Sequence, residues 1–125
     1  MKKNKILIKI RKPANVVFEF TTNPINTPRW IKNIEVEETT EWPSKLGTTY
    51  RNKNMAGKWS EYIVTAFEQN KVFELTAKDN NYHVRYTYAE PQEGITEMEY
   101  FEWVDQGELD APFTQGVLEE LRSII

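Results

Sequence analysis

From Ile34 to Val104 the chain is a series of short stretches that switch between apolar and polar residues every second position, each closed by turn-forming residues. That period of two fits strands with one buried and one wet face, and six strands joined by tight turns predict an antiparallel meander. The stretches are Ile34–Thr40, Thr48–Asn54, Trp59–Glu68, Val72–Ala77, Tyr82–Glu90 and Ile95–Val104. Gly57 and Gly94 lie in turns where positive φ is needed, and polar runs such as Lys78-Asp79-Asn80-Asn81 break the others.

A seventh strand comes first. From Lys5 to Arg11, Ile6, Ile8 and Ile10 face one way while Lys9 and Arg11 face the other. Lys12-Pro13-Ala14-Asn15 then opens a helix, with Pro13 in the first turn and Val16, Val17, Phe18 and Phe20 as its apolar side. Asn23-Pro24 begins a second short helix carrying Trp30 and Ile31, limited by Pro28. The last helix is expected from Ala111-Pro112-Phe113 to Ile125, with Phe113, Val117, Leu118, Leu121 and Ile124 as its stripe. The order is therefore β-α-α-β6-α, an α+β fold in one domain, residues 1–125.

With 125 residues the chain can build a core without covalent staples. It has no cysteine, which removes disulfides, thiolate metal sites and cysteine nucleophiles. One histidine, His83, is too few for a histidine-rich metal site, so neither a metal nor a cofactor is expected. Mean hydropathy is −0.67, and no apolar run approaches the roughly 20 residues of a membrane span. The basic start, Met1 to Lys9, has too short an apolar stretch for a signal peptide, so a cytoplasmic location is expected.

Charge is uneven. Lys2, Lys3, Lys5, Lys9, Arg11 and Lys12 crowd the start, while acids gather between Glu90 and Asp110. No ring interleaves with the lysines and the net charge is −3, so nucleic acid is not an expected partner. The expected use of the lysines is pairing of the basic strand beside the acidic one.

The aromatic content, 13%, exceeds what a minimal core requires. By alternation Tyr82, Val84, Tyr86 and Tyr88 share one strand face, and Thr96, Met98, Tyr100 and Glu102 share one face of the next. Glu97 and Glu99 belong in water, so the Met98/Tyr100 face is the inner one. Phe101 and Trp103 then face outward unless a bulge switches the strand. A Glu102 near the strand end is expected to be solvated; buried, it becomes the one candidate acid or base. Ser44, Ser60 and Ser123 lack a nucleophile elbow, the glycines are scattered singly, and His83 has opposite parity to the tyrosines.

This order and its landmarks resemble the START-like helix-grip superfamily, the group of the birch-pollen allergen and the polyketide cyclase/dehydrase-like proteins. The residues that carry the likeness are Ile10-Arg11-Lys12-Pro13-Ala14, Val17-Phe18-Glu19-Phe20, Asn23-Pro24 through Trp30, Gly47-Thr48-Thr49-Tyr50, and Tyr88-Ala89-Glu90-Pro91 followed by Gly94-Ile95-Thr96. The resemblance implies a curved antiparallel seven-stranded sheet wrapped around the C-terminal helix, with the first strand beside the last, so that Lys9 and Arg11 are expected near Glu97 and Glu99. It also implies an internal site for a small hydrophobic or amphipathic molecule, as in a carrier or sensor. Trp30, Tyr50, Tyr62, Phe73, Tyr86, Tyr88, Met98, Tyr100 and Phe113 are the expected lining. A cyclase/dehydrase-like enzyme and a ligand-free interaction domain using the basic strand or Phe101/Trp103 are the alternatives. The terminal helix is short for such a fold, about 21 Å at 1.5 Å per residue. That shortness favours an open pocket or a homodimer over a sealed one.

Overall fold

Alternation sets the framework. A computed structural model describes residues 1–125 and contains β1 (Lys3–Ile10), α1 (Ala14–Thr22), α2 (Thr27–Trp30), β2 (Ile34–Thr39), β3 (Thr49–Asn54), β4 (Trp59–Glu68), β5 (Val72–Ala77), β6 (Tyr82–Gln92), β7 (Ile95–Val104) and α3 (Gln115–Ile124). All seven strands join one antiparallel sheet in the order β1-β7-β6-β5-β4-β3-β2. The meander places each strand beside its predecessor, and β1 closes against β7 from Lys3↔Trp103 to Ile10↔Thr96. The helices α1 and α2 carry the chain from one sheet edge to the other. Register shifts at Ile34/Val36, Val64/Ala66 and Ala89/Gln92 add the local twist that curls the sheet. The result is a curled half-barrel with α3 against its concave side.

β7 alternates without interruption. Thr96, Met98, Tyr100, Glu102 and Val104 are buried, while Ile95, Glu97, Glu99, Phe101 and Trp103 are half-buried on the other face. Phe101 and Trp103 thus point outward with no bulge in their strand. The core combines Ile6, Ile8 and Ile10 of β1, Val17 and Phe18 of α1, Trp30 of α2 and Leu118 and Leu121 of α3 with the inner rings of the sheet.

Three local expectations are corrected. First, α3 begins at Gln115 instead of Ala111 and is ten residues long, about 15 Å. Pro112 disfavours helix at the residue before it, and Ala111 turns left-handed at φ 52°. Second, the buried side of α1 is Ala14, Val17, Phe18 and Thr21, the i, i+3, i+4, i+7 set, whereas Val16 is exposed. Pro13 sits in extended backbone just before the first turn. Third, the register shift in β2 turns Val36 out and Glu37 in.

Candidate functional site

The inner face gathers most of the expected lining residues. Trp30, Tyr50, Phe73, Tyr86, Tyr88 and Tyr100 are buried, as is Met98, which is fully enclosed. Tyr86 is the hub. Its ring centroid lies 5.3 Å from Tyr100, 6.0 Å from Phe73, 6.4 Å from Tyr88 and 6.5 Å from Trp30. Phe73 continues to Tyr50 at 5.4 Å, and Tyr100 stacks on Phe113 at 4.5 Å with nearly parallel planes. Phe113 also meets Trp30 edge-on at 6.2 Å. Tyr62 stands apart from this hub, paired with Tyr82 at 6.4 Å, and both are half-buried. These edge-to-face and offset contacts fill the interior between the sheet and α3.

Hydroxyls at the margin of the cluster are tied down. Tyr88 donates to Thr21 at 2.6 Å, since Thr21 itself donates to the Val17 carbonyl. Tyr50 donates to the Thr22 carbonyl at 2.7 Å and accepts from Ser44 at 2.5 Å. Burial pushes the phenols of Tyr50, Tyr82, Tyr86, Tyr88 and Tyr100 above the ordinary tyrosine value. They are neutral hydrogen-bonding groups at any physiological pH.

One buried polar atom has no partner. The indole Nε1–H of Trp30 is enclosed without an acceptor, and the indole ring meets those of Tyr86 and Phe113 edge-on. An unmade buried hydrogen bond costs on the order of 1–3 kcal/mol.

Glu102 is not solvated, as its position near a strand end suggests; it is 2% exposed. Its Oε1 accepts from the Tyr82 hydroxyl at 2.8 Å, and its Oε2 accepts from Asn4 Nδ2 at 3.0 Å and the Phe113 amide at 2.8 Å. Asn4 also donates to the Phe113 carbonyl at 2.9 Å. The carboxylate therefore clamps the segment before α3 to β1 and β6, and holds Phe113 over Tyr100.

A second carboxylate inside the curl escapes sequence reading. Glu37 accepts from Thr27 at 2.6 Å and Asn52 at 3.1 Å, and burial raises its pKa against the pull of those two bonds. The outer face is different. His83 stacks on Trp103 at 4.8 Å, Trp103 on Phe101 at 5.1 Å, and Arg85 lies 5.0 Å over Trp103. His83 bridges Thr76 at 2.9 Å and Asp105 at 2.8 Å, so it is fixed in a surface network away from the inner rings. Lys9 faces Glu97 in the β1–β7 register as expected, but Glu99 faces Leu7, and neither acid forms an ion pair with β1.

Two concavities lie outside the ring cluster. One, of about 830 Å³, opens between the end of β1, the β6–β7 hairpin and the end of α3. The other, of about 500 Å³, lies on the outer face beside Lys5, Arg85 and Phe101. None of the nine expected lining residues borders either. No group of acids and histidine is placed to hold a metal ion, and no helix is long and apolar enough to cross a membrane.

No family model and no curated protein matches the sequence. Solved structures do match. A START superfamily protein from Mycobacterium smegmatis aligns over 98% of this chain and 96% of its own at TM-score 0.75 and 11% identity. A protein from Mesorhizobium loti aligns over 96% and 95% at TM-score 0.72 and 14% identity. The Aha1 dimer from Colwellia psychrerythraea aligns over 98% and 87% at TM-score 0.65 and 12% identity. Likeness at such identities is a likeness of backbone, and it extends from β1 through α3. The chain has the START-like helix-grip fold.

Proposed function

We propose that the protein binds a small hydrophobic or amphipathic molecule between the inner face of the sheet and α3. The observation that carries this reading is the unpartnered Trp30 indole N–H inside a cluster of rings. The rings supply apolar walls, and the indole supplies the donor that fixes orientation. Phe113 fills the space beside Trp30, stacked on Tyr100. Phe113 is only half-buried and belongs to no helix or strand, so it is the group a ligand displaces. Trp30, Tyr86, Tyr100 and Met98 then line the site, with Tyr50, Phe73 and Tyr88 as the wall behind; Tyr62 stands at the margin beside Tyr82.

Native mass spectrometry of freshly purified protein looks for a co-purifying small molecule. Titration with 2-naphthol, a flat ring bearing one oxygen, gives the direct test, read on the Trp30 indole N–H resonance. Saturable movement of that resonance is the expected result, with 2-naphthol binding measured by calorimetry weakened in Trp30→Phe. A bare protein mass together with a Trp30 resonance that 2-naphthol leaves in place overturns the reading.

A further inference from the structure

The groove of about 830 Å³ at the end of β1 is chemically unlike the ring cluster. Lys9, Arg11 and Lys12 leave β1 along one side of it, and Arg122 of α3 closes the other. Ile95 and Ile125, both half-buried, contribute its apolar surface. Glu97 is its single acid, so four cations meet one carboxylate on a protein whose net charge is −3. Lys9, Arg11 and Lys12 make no ion pair anywhere, and Arg122 touches only exposed Glu119, at 3.7 Å. Unneutralised cations converging on a concavity focus a positive potential there. Guanidinium forks from two different elements suit the oxygens of a phosphate or carboxylate.

We propose that this groove is a second site, which takes an anionic amphiphile: a phosphate or carboxylate carried on a short alkyl chain. The cations hold the head and the isoleucines take the chain. At about 830 Å³ the groove is far larger than a bare ion and lies within the range of small-molecule sites, roughly 300–1,000 Å³. No ring lines it, which leaves nothing for a nucleic-acid base to stack on. The inference does not depend on the ring cluster, because the groove shares no lining residue with that site.

Octyl phosphate below its micellar concentration is the probe, read on the isoleucine methyl resonances, with 1-octanol and inorganic phosphate beside it. Movement of the Ile95 and Ile125 methyls, with octyl phosphate at least about tenfold tighter than either control, is expected. The double variant Lys9→Glu/Lys12→Glu, folded by circular dichroism, should lose that binding by a similar factor. Sedimentation with vesicles of phosphatidylglycerol in phosphatidylcholine separates the two sources of such a group. Retention by vesicles, lost in the double variant, supports the site with a bilayer lipid as its source. Octyl phosphate binding without retention supports it with a soluble amphiphile. Octanol or phosphate binding equally well overturns the proposal, as does binding that moves the Trp30 indole and leaves the two methyls unmoved.

Discussion

Two faces of the same strand pair differ more than any two elements of the molecule. On the inner face of β6 and β7, Tyr86 meets Tyr100 in a row closed to water. One residue along, on the outer face, Arg85 meets Phe101 in a row that is half wet. Both rows are aromatic, yet the inner one is held by packing and neutral hydrogen bonds, and the outer one by stacking and ion pairs. The difference is one of solvent. Where water is excluded, a missing partner is expensive, and the carboxylate of Glu102 carries three. Where water enters, an ion pair gains little over its hydrated parts.

The largest effect should therefore follow from Glu102. Glu102→Ala leaves the Tyr82 hydroxyl, the Asn4 amide and the Phe113 N–H without their acceptor, and urea unfolding should show a loss of about 3 kcal/mol or more. Glu102→Gln keeps one acceptor oxygen and should lose less. A loss under about 0.5 kcal/mol for the alanine variant, the range of an ordinary surface change, would show that this end of the inner face is wet. Phe113→Ala comes next. Its half-buried ring should contribute about 2 kcal/mol, below the value for a fully buried phenylalanine. The same variant should bind 2-naphthol more tightly, since the space beside Trp30 is then free. Weaker binding would make Phe113 a wall of the site instead of its plug.

Much of this contrast is legible in the sequence. Alternation alone assigns Tyr82, Tyr86 and Tyr88 and Met98 and Tyr100 to one face, and the structure agrees. It fails where a single residue shifts the register. In β2, alternation turns Ile34 and Val36 inward, but the shift between them exposes Val36 and brings Glu37 to Thr27 and Asn52. An inserted residue inverts every later side chain, and nothing local in Ile34–Thr39 marks it. Glu102 has the right parity, but its burial depends on Asn4 and Phe113, which only the closed fold brings to it. Pro112 does signal a late start for α3, and the left-handed turn at Ala111 that goes with it has no sequence mark of its own. The unpaired Trp30 N–H has no sequence signal at all, since an absent acceptor is a property of packing.

Glu37 offers a subtler test, because its pKa is raised by burial while that of Glu90 is lowered by the Ala14 and Gly94 amides. The two signs oppose. A raised folded pKa means that the contribution of Glu37 is full below the unfolded value, near 4.3, and is lost as pH rises through the folded value. The contribution of Glu90 is present above the unfolded value and lost as pH falls through its lowered one. Between wild type and Glu37→Gln, the difference in unfolding free energy should shift in favour of the variant as pH climbs from about 4 toward neutrality. Glu90→Gln should lose its disadvantage as pH falls into the acid range. A flat difference for Glu37→Gln would place that carboxylate in water.

The smallest effect belongs to the outer row. Arg85 pairs with Glu74 at 2.9 Å and lies over Trp103, but its side chain is 42% exposed. Exposed pairs and exposed cation–π contacts each contribute up to about 1 kcal/mol. Arg85→Ala should therefore lose less than about 1 kcal/mol, and part of that loss should disappear in molar salt, where screening reaches within about 3 Å. Removing Glu102 should cost nearly the same at either ionic strength, because its partners are neutral and shielded from ions. If Arg85→Ala proved as costly as Glu102→Ala and insensitive to salt, the outer row would also be closed to water, and something would have to cover it. A covered outer face on a START-like sheet means a partner, and the stacked His83, Trp103 and Phe101 would be its contact.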